Sequence, residues 1–272
     1  MQFNHLFLDK IILYFRNMKS NDISDILDST FNADIDNKNL KKERKLPSQE
    51  NSLNLHQIKE ITRFLKKSIC RIDCNNRKGT GFLCQIKISN SININALITS
   101  NKVLNRNLIN KGDKVNISFN NEKLKCRINI NKSTYVYTNE QYDITIIEIT
   151  GFMYKNCFLC LCHKNRFLFL KINVKDPKQI HKNEDIVVFH YERGEEVQYS
   201  KGKLKTENSE YILNCCTTKE GSSGSPILKL EDYKVIGIHR EKKTENPIWE
   251  FLLKNLLMTL LKNIKMLLKM IH

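Results

Sequence analysis

Apolar positions follow helical spacing near the start of the chain and strand spacing from Ser68 onward. Residues 1–17 read as a short amphipathic helix, and residues 18–54, ending in KKERKLPSQENSLN, as a polar linker. LHQIKEITRFLKK places Ile58, Ile61 and Leu65 on one face, which predicts a helix over 55–67 packed on the outside of the β-rich segments after it. Six such segments come next: SICRIDC, TGFLCQIKI, NALIT, KVNISF, KLKCRINI and DITIIEI. Their spacing, with Gly and Asn turns between them, predicts an antiparallel barrel over 68–149. After a bridging segment, 150–184, a second set (DIVVFHYE, EVQYSKGKL, EYILNC, SPILKL and YKVIGIH) predicts another barrel over 185–249. No amphipathic helix separates the two sets, which argues against βαβ architecture. In the closing segment, 250–272, Lys254, Lys262, Lys265 and Lys269 share one quadrant of a helical wheel. That predicts a basic amphipathic helix, either capping the second barrel or touching an acidic membrane surface.

Composition changes this picture little. A length of 272 residues allows one domain of about 200 residues with extensions. The formal charge is +16, from 45 Lys+Arg against 29 Asp+Glu. Because these cations are scattered and form no long stripe, nucleic acid is not the expected partner. The nine cysteines are odd in number and irregular in spacing, which does not suggest a secreted disulfide framework. CFLCLCH (157–163) has donor atoms for zinc, but no second ligand pair comes after it and Leu and Phe interleave as in a buried strand. No metal or other cofactor is expected. Asp9 and Lys10 interrupt the apolar N-terminus, and no stretch reaches the roughly 18 apolar residues of a membrane span. Intracellular residence is the default expectation.

The candidate chemistry lies in KEGSSGSPIL, Lys219 to Leu228. A nucleophilic serine needs a tight turn that exposes its hydroxyl, with backbone N–H groups aimed where an oxyanion forms. Gly221 and Ser223 can supply those groups, and Gly224 and Pro226 shape the exit into a strand. With KVIGIH after this turn, and GTGFL (79–83), ALITSNKVL (96–104) and YDITIIEI (142–149) before it, residues 66–249 resemble the chymotrypsin/trypsin-like serine endopeptidases, above all the glutamyl endopeptidase branch. The resemblance implies two six-stranded barrels with an active site in the cleft between them. It further implies Ser223 as nucleophile, Asp143 as the carboxylate that orients the base, and the Gly221 and Ser223 amides as oxyanion hole. Peptide or protein is the implied substrate. Thr218 and His239, with Arg240 beside them, are the implied binding groups for an acidic side chain.

Two departures alter that expectation. Where the family has a histidine base, T-S-N-K-V-L puts Lys102, and the only histidines before Asp143 are His5 and His56, both upstream of the first barrel. A lysine titrating near 10.4 would need its pKa lowered by about three units, roughly 4 kcal/mol, and a neighbouring carboxylate opposes that shift. Lys102 is therefore expected to be protonated and paired with Asp143, leaving a site without efficient catalysis. Second, HREKKTENP runs straight into PIWEFLL, which leaves the second barrel one strand short on this pattern. Two other readings stay open: an active endopeptidase using Lys102 or another histidine as base, and a basic nucleic-acid or membrane-surface binder.

Overall fold

The computed structural model describes residues 53–87, 93–110, 115–121, 123–128, 130, 134–149, 167–172, 184–192, 195–207, 210–214, 221–240 and 249–252. The helix expected at 1–17, most of the linker, the cysteine-rich CFLCLCH and the terminal helix beyond residue 252 lie outside them. Among the described residues, no helix is long and apolar enough to cross a membrane.

Helix α1, Leu55–Lys67, starts with a reciprocal cap: Asn54 Oδ1 accepts the Gln57 N–H at 2.8 Å, and Gln57 Oε1 accepts the Asn54 N–H at 3.0 Å. Ile61 is buried as its spacing predicts, whereas Ile58 is 47% exposed. Phe64 packs instead, its ring centroid 6.4 Å from Phe189 and 5.4 Å from Tyr233. Both of those partners come from the C-terminal strand set, so α1 packs on the junction of the two β units.

The first unit contains β1 (Ile69–Cys74), β2 (Arg77–Lys87), β3 (Asn93–Thr99), helix α2 (Arg106–Asn110), β4 (Val115–Phe119), β5 (Leu124–Ile128), β6 (Val136–Asn139) and β7 (Ile144–Glu148). Its antiparallel strands run in the order β5-β4-β1-β2-β3-β7-β6, with β8 (Leu170–Lys171) added in parallel to β2. The sequence pattern predicts six strands here, and β6 is the addition. Tyr137 is its one buried side chain, so VYTN carries almost no alternation to mark it.

The second unit contains β9 (Asp185–Tyr191), β10 (Val197–Glu207), β11 (Glu210–Asn214), β12 (Pro226–Lys229), β13 (Val235–Ile238) and β14 (Trp249–Leu252). These six strands close in the order β10-β11-β14-β13-β12-β9. The strand expected to be missing is thus present and the expectation is corrected: WEFL, which the pattern runs into the terminal helix, pairs with β11 and β13. Its short apolar run fits strand and helix periods alike, and two waiting strand edges decide between them.

Alternate residues of most of the strands face different cores. Cys70, Ile72, Leu83, Leu97 and Ile147 fill the first unit, and Ile186, Val188, Ile227 and Ile236 fill the second. Their neighbours Ile69, Phe82, Ile98, Ile146, Val187, Phe189 and Leu228 form a third cluster that joins the units and takes in Ile61 of α1. Burial of both strand faces explains the near-continuous apolar runs. The described cysteines are free thiols; burial pushes those of Cys70 and Cys84 far above the ordinary range, so they behave as small apolar side chains.

Candidate active site at the junction of the two barrels

The turn Gly221–Ser225 leads into β12 with Gly221 at φ +97° and Gly224 at φ +88°, a region that favours glycine. Three hydrogen bonds tie it to itself and to the end of β13. Gly224 N–H donates to His239 O at 3.0 Å, His239 N–H to Ser225 O at 2.8 Å, and Ser225 N–H to Ser222 O at 3.1 Å. The Ser225 hydroxyl adds a fourth, donating to Ser222 O at 2.6 Å.

Thr80 of β2 holds the turn from the first barrel. Its N–H donates to Ser223 O at 3.0 Å and its hydroxyl to Gly221 O at 2.9 Å, while the same hydroxyl accepts the Tyr191 N–H at 2.9 Å. Its carbonyl accepts the Thr99 hydroxyl at 2.8 Å. Thr80 is completely buried, so none of these groups has water as a substitute. Sequence patterning passes over it; the available signal is its place between two glycines in GTGFL. A Cβ on Gly79 would lie 2.2 Å from a Val103 methyl, so this approach needs glycine. Thr80→Val should destabilise the fold by about 2–4 kcal/mol in urea unfolding, because it orphans the Gly221 carbonyl and the Tyr191 amide. Thr80→Ser, which keeps the hydroxyl, should recover most of that loss.

Asp143 sits between β6 and β7 at φ +49°, left-handed backbone in a non-glycine residue. Its Oδ1 accepts the Lys102 N–H at 2.8 Å and the Ser100 hydroxyl at 3.3 Å. Its Oδ2 faces Arg240 Nε of the second barrel at 3.9 Å. The sequence makes Lys102 the expected ion-pair partner of this carboxylate. The structure bonds the Lys102 main-chain N–H to it, and the charges of both Arg240 and Lys102 act on it. The Lys102 carbonyl accepts from Arg77 Nη1 at 3.0 Å, and the residue itself is exposed.

Burial raises the Asp143 carboxyl above its ordinary value of 3.8, against the lowering influence of the Lys102 N–H, Arg240 and Ser100. A raised acid pKa favours the protonated fold, so this contribution is fully present below pH 3.8 and is lost as pH rises through the raised value. Asp143→Asn removes that loss. Its melting temperature relative to the parent chain should therefore be more favourable at pH 7 than at pH 3, as differential scanning fluorimetry at both pH values would record.

Ser100 joins the two halves of the site. Its hydroxyl reaches Asp143, and its N lies 2.8 Å from where a Cβ on Gly224 would stand. Ser223 is 4% exposed and His239 2% exposed. The imidazole found on a hydroxyl of this turn belongs to His190, whose Nδ1 shares a hydrogen bond with Ser222 at 3.3 Å, one residue before Ser223. Ser222 is 1% exposed and His190 2%, so this Ser–His pair is buried. The structure thus gathers Gly221, Ser223, His239 and Arg240 from the second barrel against Lys102 and Asp143 from the first. Thr218 lies outside the described residues. Among the described residues no group of three or more His, Cys, Asp and Glu side chains could hold a metal ion.

The chain is similar in fold to known serine proteases. The crystal structure of a serine endoprotease from Yersinia pestis aligns with a TM-score of 0.52 and 10% identity, over 79% of this chain and 68% of that one. That of Deg5 aligns with a TM-score of 0.50 and 12% identity, over 76% and 94%. A human pathogenic astrovirus serine protease is 18% identical over 69% and 93%, with a TM-score of 0.44. The comparison with curated protein sequences returns no match. Residues 79–238, more than half of the chain and spanning from Gly79 through the Ser223 turn to the end of β13, match the model of the trypsin-like peptidase domain. Thr80 and the Ser223 turn that it holds both lie inside that match, and by it the chain belongs to the trypsin-like peptidase domain family.

Proposed function

We propose that this protein is a serine endopeptidase homologue of the glutamyl branch whose cleft accepts peptides but has lost efficient catalysis. Ser223 is the nucleophile position, the Gly221 and Ser223 amides form the oxyanion hole, and Asp143 is the carboxylate that would orient a base. Lys102 stands where that base belongs. The observation that carries the reading is the exposure of Lys102 beside a partly buried, Arg240-facing carboxylate. A lysine serves as a base only where burial holds its amine uncharged, and Lys102 is exposed. His239 and Arg240, with Thr218, favour an acidic side chain in the cleft, where a hydroxyl, an imidazole and a guanidinium can meet a carboxylate.

A fluorophosphonate probe tests this directly. The parent chain should label at the background rate of Ser223→Ala, and a Glu-containing peptide should not be turned over. Labelling well above that variant, with ordinary turnover of the peptide, would overturn the loss of catalysis.

A further inference from the structure

The turn carrying Ser223 is held by Thr80 on one side and by the backbone of His239 on another. A third hold comes from within the second barrel. His190, near the end of β9, is 2% exposed; its Nδ1 bonds Ser222 Oγ at 3.3 Å and its Nε2 bonds Ser200 Oγ at 3.0 Å. Ser200 lies across the β9–β10 hairpin, diagonal to His190, since His190 pairs with Gln198 and Val188 with Ser200.

We propose that His190 is a positioning residue for the Ser223 turn, an imidazole strut that fixes Ser222 and thereby the peptide planes on both sides of it. This rests on the reading of that turn as the site of the nucleophile and oxyanion amides. Ser222 stands between the two residues whose N–H groups would receive an oxyanion. Its carbonyl is already taken by the Ser225 N–H and hydroxyl, and its side chain adds a separate hold on the turn beside those of Thr80 and His239. A neutral imidazole offers one donor and one acceptor, and a hydroxyl serves as either, so the row Ser222–His190–Ser200 can be satisfied from end to end without water. The next residue, Tyr191, donates its N–H to Thr80. The end of β9 therefore reaches the turn twice, through the His190 ring and through the Thr80 hydroxyl.

The two ring nitrogens can be tested separately, because Asn presents a polar atom near the Nδ1 position and Gln near Nε2. Amide hydrogen exchange of Ser225 is read on the chain that keeps Lys102. His190→Phe and Ser222→Ala should speed it about tenfold, while amides of β7 stay unchanged. His190→Asn, which can still meet Ser222, should return close to the parent rate; His190→Gln, which can meet only Ser200, should not. In a Lys102→His background, fluorophosphonate labelling of Ser223 should fall and recover in the same order. Parent-like exchange in His190→Phe, or rescue by Gln equal to that by Asn, would overturn the proposal. Should His190→Phe fail to fold, Ser222→Ala decides with the imidazole intact. Failure of Lys102→His to label would count against the proposed nucleophile, whereas the exchange rates still judge His190.

Discussion

Lys102→His should make Ser223 reactive, raising its fluorophosphonate labelling rate by about 10²-fold or more over the parent chain. Loss of the triad histidine alone lowers turnover on the order of 10⁶ in subtilisin, so restoring an imidazole has a large range to recover. Recovery should be partial. The backbone of residue 102 is already placed, with its N–H on Asp143 at 2.8 Å and its carbonyl on Arg77 at 3.0 Å. However, Asp143 Oδ2, the carboxylate oxygen that the Lys102 N–H leaves open, faces Arg240 at 3.9 Å, and a new imidazole must compete with that guanidinium. Ser223→Ala in the Lys102→His background is the control and must return labelling to background. A folded Lys102→His chain that labels no faster than the parent would remove Ser223, Lys102 or Asp143 from its assigned role.

Gly224→Ala should be severely damaging, lowering stability by about 4 kcal/mol and giving little folded protein. The added Cβ would stand 2.3 Å from Thr80 O, 2.6 Å from Thr99 Oγ1 and 2.8 Å from Ser100 N, at φ +88°. Two of those three atoms are backbone, and all lie in residues that are themselves fully buried and bonded across the site. Little can yield. Gly81→Ala is the useful contrast. Its Cβ would meet Ile72 Cδ1 at 2.5 Å, the far end of a side chain that can turn aside, so about 1–2 kcal/mol is expected. Urea unfolding of the two variants checks the order, and a Gly81→Ala chain less stable than Gly224→Ala would contradict a rigidly held turn.

Much of the fold is legible in the sequence. Strand sets flanking a Gly- and Ser-rich turn predict two antiparallel barrels, and β1 to β5, β7, β9 to β13 and the helix α1 fall on or close to their predicted segments. Strands buried on both faces are marked by dense apolar runs, which are local signals. The two barrel strands that patterning misses lack such a signal. β6 buries one side chain, and β14 is four residues long with its identity set by its partners. Ile58 shows the reverse error, since helical spacing puts it inward while the barrel junction has room for Phe64 instead.

The sequence by itself determined the kind of protein: most of its strands, where the serine turn lies, and that T-S-N-K-V-L carries an amine. Each is written in a few consecutive residues. Only the tertiary structure decided how the site is held and what answers its charges. Thr80 and Gly221 are 141 residues apart, Ser222 and His190 are 32 apart, and Arg240 reaches Asp143 from the other barrel. Such contacts arise from how two barrels close and dock, and no periodicity along the chain encodes which polar atoms then meet.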